Sequence, residues 1–170
     1  MNLPNLLTLF RFGLIPVYLL VFFSESRYSM QLALLVLLLA AATDILDGYL
    51  ARKYKWVTEL GIMLDPLADK SMMVTVIVSF IVDGRISWLA AALLILRDLG
   101  MIFVSIFFVS QGKKTVPATA WGKSTTVLYY VVLVALLFEW PMADLLVWIM
   151  IILAFVTTLT YLRQFRQMNL

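Results

Sequence analysis

Six long apolar runs, each near the length that crosses a bilayer, limit what this chain can fold into. A membrane-spanning helix needs about 20 mostly apolar residues. Stretches at about 4–23, 29–52, 59–82, 86–110, 118–139 and 142–163 meet that requirement. Within residues 6–23, for example, Arg11 is the only charged side chain. The connections between runs are short, as in a compact helical bundle. The expected architecture is an all-α integral membrane protein: a single domain over residues 1–170, built as a bundle of six transmembrane helices. Composition agrees, since 64% of the residues are hydrophobic and the mean hydropathy is +1.00, whereas soluble proteins are about 45–50% apolar.

Basic residues indicate the orientation, because Lys and Arg concentrate in cytoplasmic connections. Connection 24–29 has Arg27 offset by Glu25, connection 83–87 has Arg85 offset by Asp83, and connection 139–144 is acidic only. The opposite side holds Arg52, Lys53 and Lys55, then Lys113, Lys114 and Lys123, then Arg163 and Arg166. Both termini are therefore expected on the cytoplasmic side of the cytoplasmic (inner) membrane. Trp56, Trp88, Trp121 and Trp140 fall at the ends of the runs, where interfacial aromatic belts sit. The first run lacks a basic leader and a small-residue cleavage site, so it reads as a retained span.

The chain has no cysteine and no histidine. Disulfides, thiol catalysis and Cys-based metal sites are excluded, and any general base has to be a carboxylate, Lys or Tyr. The net charge of +3 comes with no basic patch interleaved with aromatics, so no nucleic-acid partner is expected.

Two acidic clusters interrupt the second and third runs. A charged side chain at the centre of a membrane helix costs about 2.5–3.5 kcal/mol or more, so an ionisable group there is a functional candidate by default. Asp44 and Asp47 are i,i+3 and share a helix face; Asp65 and Asp69 are i,i+4 and share another. Folding the two runs as antiparallel helices about a turn near Trp56 sets Asp44 level with Asp69 and Asp47 level with Asp65. If those faces meet, four carboxylates occupy one small volume and repel unless neutralised. One or two divalent cations that prefer oxygen ligands, Mg2+ or Mn2+, would neutralise them. Gly48, Ala51 and Gly61 are nearly free of side chain. Such positions serve either close helix packing or close approach of a flat ligand to the backbone. Pro66 disfavours helical geometry at Asp65.

The spacing Asp-x2-Asp-Gly-x2-Ala-Arg-x8-Gly-x3-Asp-x3-Asp, here Asp44, Asp47, Gly48, Ala51, Arg52, Gly61, Asp65 and Asp69, resembles the signature of the CDP-alcohol phosphatidyltransferases with every interval kept. The resemblance implies an enzyme that transfers a phosphatidyl group from CDP-diacylglycerol to an acceptor alcohol and releases CMP. It implies that Asp44, Asp47, Asp65 and Asp69 hold the metal, two Mg2+ or Mn2+ ions, and that Asp69 takes the acceptor's proton. The CDP moiety is expected against Asn5, Thr8, Asp44, Gly48, Ala51, Arg52, Thr58 and Gly61. The opening Pro4-Asn5-x-x-Thr8-x-x-Arg11 is similar to the family's too. Asn5, Thr8 and Arg11 step by three and form a polar stripe. That stripe either caps the helix and lets Arg11 snorkel to the boundary, or faces the site and helps hold the nucleotide or diphosphate.

Arg97 and Asp98 fall near the middle of the fourth run. They form either a structural ion pair with another helix or, by resemblance to relatives that make phosphatidylglycerophosphate, part of an acceptor pocket in which Arg97 and Lys123 bind the acceptor phosphate. Thr125 stands where those relatives have a second Lys, and Asp98 where Glu is more usual; both departures are closer to eukaryotic-type cardiolipin synthases. The expected acceptor is sn-glycerol 3-phosphate, with phosphatidylglycerol as the alternative and inositol phosphate as a third. Membrane lipids and a homodimeric partner are further implied. A cation-coupled transporter would string its acids across the membrane depth, often in inverted repeats. Here the acids lie within one hairpin and no repeat is visible.

Overall fold

The computed structural model describes residues 3–54, 59–110 and 120–169. Those residues form helices α1 (Leu3–Phe22), α2 (Ser29–Tyr54), α3 (Glu59–Val82), α4 (Trp88–Ser110), α5 (Ala120–Leu137) and α6 (Ala143–Asn169). The expected runs and the helices agree to within a few residues, except that α6 continues past residue 163. Nothing in residues 164–169 breaks a helix, and Phe165 is buried, so the helix extends beyond its apolar span. Likewise α3 runs unbroken through Asp65 and Pro66.

Two helices contain stretches long and apolar enough to cross a membrane, Ser29–Leu50 and Ala143–Phe165; Leu6–Phe22 and Val127–Leu137 are shorter apolar helices. The outward faces are apolar as well, with Leu20 76% and Phe103 72% exposed. A helix of a soluble protein puts charge on that face. An all-helical chain with apolar side chains turned outward is consistent with a membrane protein, whose surroundings are as apolar as leucine.

The chain forms two compact halves, Met1–Asp83 and Gly84–Leu170. In the first, α1 packs against both α2 and α3. One face of α1 is buried from Thr8 onward: Thr8, Arg11, Leu14, Tyr18 and Phe22, stepping by three and four. The face of α2 that is buried comprises Ala33, Val36, Ala40 and Asp47, and small residues at 33 and 40 let backbones approach closely. From α3 come Ala68, Met72, Val76, Ser79 and Phe80. The Phe22 and Phe80 rings meet edge to face at 5.7 Å. Ser79 donates its proton to the Val76 carbonyl at 2.8 Å, so in the buried Tyr18–Ser79 contact at 2.9 Å the tyrosine hydroxyl is the donor.

In the second half α6 packs against α4 and α5. Thr125 and Thr157 join α5 to α6 through their hydroxyls at 2.9 Å. Arg85, which from sequence is only a loop charge beside Asp83, closes the end of α5. Its Nη1 donates to the carbonyls of Leu136 and Leu137 at 2.9 and 2.7 Å, and its Nη2 pairs with Glu139 at 3.0 Å. Last-turn carbonyls lack intrahelical partners and carry partial negative charge, which is where a guanidinium is most useful. Glu139 itself, with φ 50°, makes the left-handed turn that ends the helix.

Candidate active site

Three of the four motif acids meet, and they meet on an arginine. Arg11 Nη1 donates to Asp44 Oδ1, and Nη2 donates to Asp47 Oδ2 at 2.7 Å and to Asp65 Oδ1 at 3.2 Å. Thr8, one turn earlier on α1, donates its hydroxyl to the same Asp65 oxygen. The acids of α2 and α3 thus meet in a three-helix arrangement with α1. Helix α1 packs on both acid-bearing helices and sets a cation between Asp47 of α2 and Asp65 of α3. The stripe geometry explains it: Thr8 and Arg11 continue the buried face of Leu14, Tyr18 and Phe22, so packing those apolar residues carries the two polar ones inward. Thr8 and Arg11 face inward among the acids, and Arg11 does not snorkel outward.

The site has a floor and a rim. The side chains of Arg11 and Asp47 are 4% and 3% exposed, whereas those of Asp44 and Asp65 are 51% and 39% exposed. Asp69 lies one turn beyond Asp65 on α3 and is exposed. A ligand would reach Asp44, Asp65 and Asp69 first and Asp47 last. One guanidinium against three carboxylates leaves two negative charges within that group. Residual charge of that size, on oxygen donors alone, suits a hard divalent cation. With the guanidinium in place, however, no group of three acids among the described residues is spaced to hold a metal ion.

The remaining predicted residues divide by what is described. Gly48 follows Asp47 on α2 and is half-buried. Asn5 on α1, Ala51 and Arg52 on α2, Gly61 on α3 and Lys123 on α5 are placed by backbone only, and Thr58 lies outside the described residues. Arg97, in the second half, pairs with its own neighbour Asp98 at 2.7 Å, and its Nε donates to Thr158 on α6 at 3.2 Å. Arg97 thus reaches α6 through a hydrogen bond to a hydroxyl and pairs with a neighbour on its own helix. Arg11 is the site residue that the motif alone does not assign. Its signal in the sequence is a lone charge inside an apolar run, three residues from Thr8 and six from Asn5.

The sequence profile of the CDP-alcohol phosphatidyltransferases matches residues 1–160, so the chain belongs to that family of enzymes. Its relatives narrow the comparison. A CDP-diacylglycerol–glycerol-3-phosphate 3-phosphatidyltransferase of Pectobacterium atrosepticum is 38% identical over 142 residues, covering 81% of this chain and 78% of the relative. Proteins of the same name from Rickettsia bellii, 37% identical over 75% of this chain and 70% of the relative, and from Yersinia pestis, 34% identical over 99% and 94%, extend the similarity to the whole length.

Proposed function

We propose that this chain transfers the phosphatidyl group of CDP-diacylglycerol to sn-glycerol 3-phosphate, forming phosphatidylglycerophosphate and releasing CMP. The supporting observation is the meeting of Asp44, Asp47 and Asp65 around one buried guanidinium, at motif positions of a chain whose relatives bear that activity in their names. The acceptor's hydroxyl oxygen bonds to the lipid-side phosphorus while the bond from that phosphorus to the CMP oxygen breaks. Asp69, on the exposed rim, accepts the hydroxyl proton as general base. Asp44, Asp47, Asp65 and Asp69 would hold Mg2+ or Mn2+, two ions at full occupancy, which supply neutralising charge to the diphosphate when bound. Asn5, Thr8, Gly48, Ala51, Arg52, Thr58 and Gly61 hold the CDP portion, and Arg97 with Lys123 binds the acceptor phosphate.

In this reading all six helices span the cytoplasmic membrane, both termini are cytoplasmic, and the acids lie at the cytoplasmic boundary. The lipid tails of one substrate then stay in the bilayer while CMP and glycerol 3-phosphate exchange with water. A homodimer is part of the proposal.

An acceptor screen with labelled CDP-diacylglycerol in liposomes tests it. Metal-dependent CMP release that responds to glycerol 3-phosphate is expected. Release that ignores glycerol 3-phosphate and responds to phosphatidylglycerol would replace this reading with cardiolipin synthesis. General base catalysis is worth about 10²–10⁴-fold, so Asp69→Asn should lose at least about a hundredfold in turnover with helical content unchanged. Unaltered turnover in that variant would remove Asp69 from the role.

A further inference from the structure

We infer that Thr158 is a positioning residue for Arg97: its hydroxyl oxygen holds the guanidinium so that the remaining donors meet the phosphate of the acceptor. The inference rests on the proposed role of Arg97 and goes beyond it by naming what aims that side chain. Arg97 is held at two nitrogens, from two helices. Its Nε donates to Thr158 Oγ1 on α6 at 3.2 Å, and its Nη1 donates to Asp98 on α4 at 2.7 Å. A guanidinium is planar and rigid, so fixing two of its nitrogens fixes the third. Nη2 takes no partner among the described residues, and the Arg97 side chain is 19% exposed. A phosphate oxygen can accept from Nη2 without displacing either contact.

The contact serves Arg97 more than Thr158. Thr158 donates its proton to the Ala154 carbonyl at 2.9 Å, a bond that threonine makes within its own helix. Toward α4 its oxygen can then only accept, which is what an N–H donor needs. A neutral hydroxyl also holds the guanidinium without opposing its charge, as Asp98 does. Thr157, the preceding residue, is built in the same way: its proton goes to the Leu153 carbonyl at 2.8 Å, and its oxygen accepts from Thr125 on α5 at 2.9 Å. Successive helical residues point about 100° apart. The pair therefore turns one acceptor toward α5 and the other toward α4, and α6 packs on both. Of these two contacts, the one at Thr158 reaches a cation.

Steady-state kinetics of the full chain in liposomes test this. Thr158→Val should raise the KM for glycerol 3-phosphate about five- to tenfold, the effect of one hydrogen bond, with kcat and the KM for CDP-diacylglycerol near wild type. Thr158→Ser keeps the oxygen and should show the wild-type KM. Thr160→Val, whose lost hydroxyl donates to the Thr157 carbonyl of its own helix, should change neither constant. On an Arg97→Gln background Thr158→Val should add nothing further, since a residue that acts through Arg97 has no effect without it. The inference is overturned by an unchanged KM for glycerol 3-phosphate in Thr158→Val, by an equal rise in Thr158→Ser, or by an additive rise on the Arg97→Gln background. Should Thr158→Val not fold, Thr158→Ala carries the same expectation; failure of both to fold marks the hydroxyl as structural and overturns the inference too. Arg97→Gln alone tests the reading underneath. An unchanged KM for glycerol 3-phosphate in that variant, or a wild type that ignores glycerol 3-phosphate, removes Arg97 from the acceptor pocket and the positioning role with it. A raised KM in Arg97→Gln beside an unaltered one in Thr158→Val leaves the pocket standing and overturns the positioning role alone.

Discussion

Asp47 and Asp44 are the same residue type on the same helix, three positions apart, and they have different physical jobs. Asp47 is 3% exposed and faces an equally buried Arg11, whereas Asp44 is 51% exposed at the rim. Breaking a buried ion pair by removing one partner costs about 3–5 kcal/mol, while an exposed pair is worth about 0–1 kcal/mol. In metal-free detergent solution Asp47→Asn should therefore lower the melting temperature clearly, near the lower end of that range because Asp44 and Asp65 still hold Arg11. Asp44→Asn should barely move it. Both should lose most CMP release. Equal melting temperatures for the two variants would mean that the floor and rim are not energetically distinct. The acids themselves are legible in sequence, because an ionisable group inside an apolar run demands a reason. Their partner is less so. Whether Arg11 faces lipid, water or the acids depends on the rotation of α1, and the residues around it, Phe10, Phe12, Leu14 and Ile15, are apolar on every side.

The same difficulty governs the elements. A helix in water shows its inward face by alternating apolar and polar residues. Helix α2 shows no such alternation: Leu35, Leu38 and Leu39 are exposed while Ala33, Val36 and Ala40 are buried, and all six are apolar. Helix existence and length are legible from apolar runs, but helix rotation and pairing are not, and nothing in the sequence shows that α1 packs on both α2 and α3. Size, more than polarity, separates the two faces of α2. Ala40 is 6% exposed, one and two turns before Asp44 and Asp47 on the same side, where α1 packs. Ala40→Leu should force the helices apart, at about 1–3 kcal/mol for overpacking a closed contact. It should also reduce CMP release, because the displaced helix carries Asn5 and Thr8, which the proposed function sets against the CDP portion. Leu38→Ala, on a face 56% exposed, should leave turnover near wild type. Comparable activity in the two variants would argue against close α1–α2 packing as the device that sets Arg11 among the acids.

At the scale of the whole molecule, the proposed topology assigns each connection to one side of the membrane, and the bias of Lys and Arg is the basis of that assignment. The basic residues Lys53 and Arg163 belong to the side predicted to be cytoplasmic, and both are exposed. Glu25 and Met142 lie in the other set of connections and are exposed as well. Arg85 would count against the charge bias if it were a free loop cation, but its pairing with Glu139 and the α5 carbonyls gives it a structural reason to be there. The absence of native cysteine makes the test clean, since any thiol introduced is the only one present. Glu25→Cys and Met142→Cys should react with a membrane-impermeant maleimide in intact cells. Lys53→Cys and Arg163→Cys should react only after the membrane is opened. Lys53 follows the Asp44–Asp47 cluster by about two turns of the same helix, so its labelling also reports the side on which the acids lie. Labelling of Lys53→Cys from outside would put the acids at the face opposite the one where CMP and a phosphorylated acceptor are exchanged, and the proposed reaction could not proceed there as described.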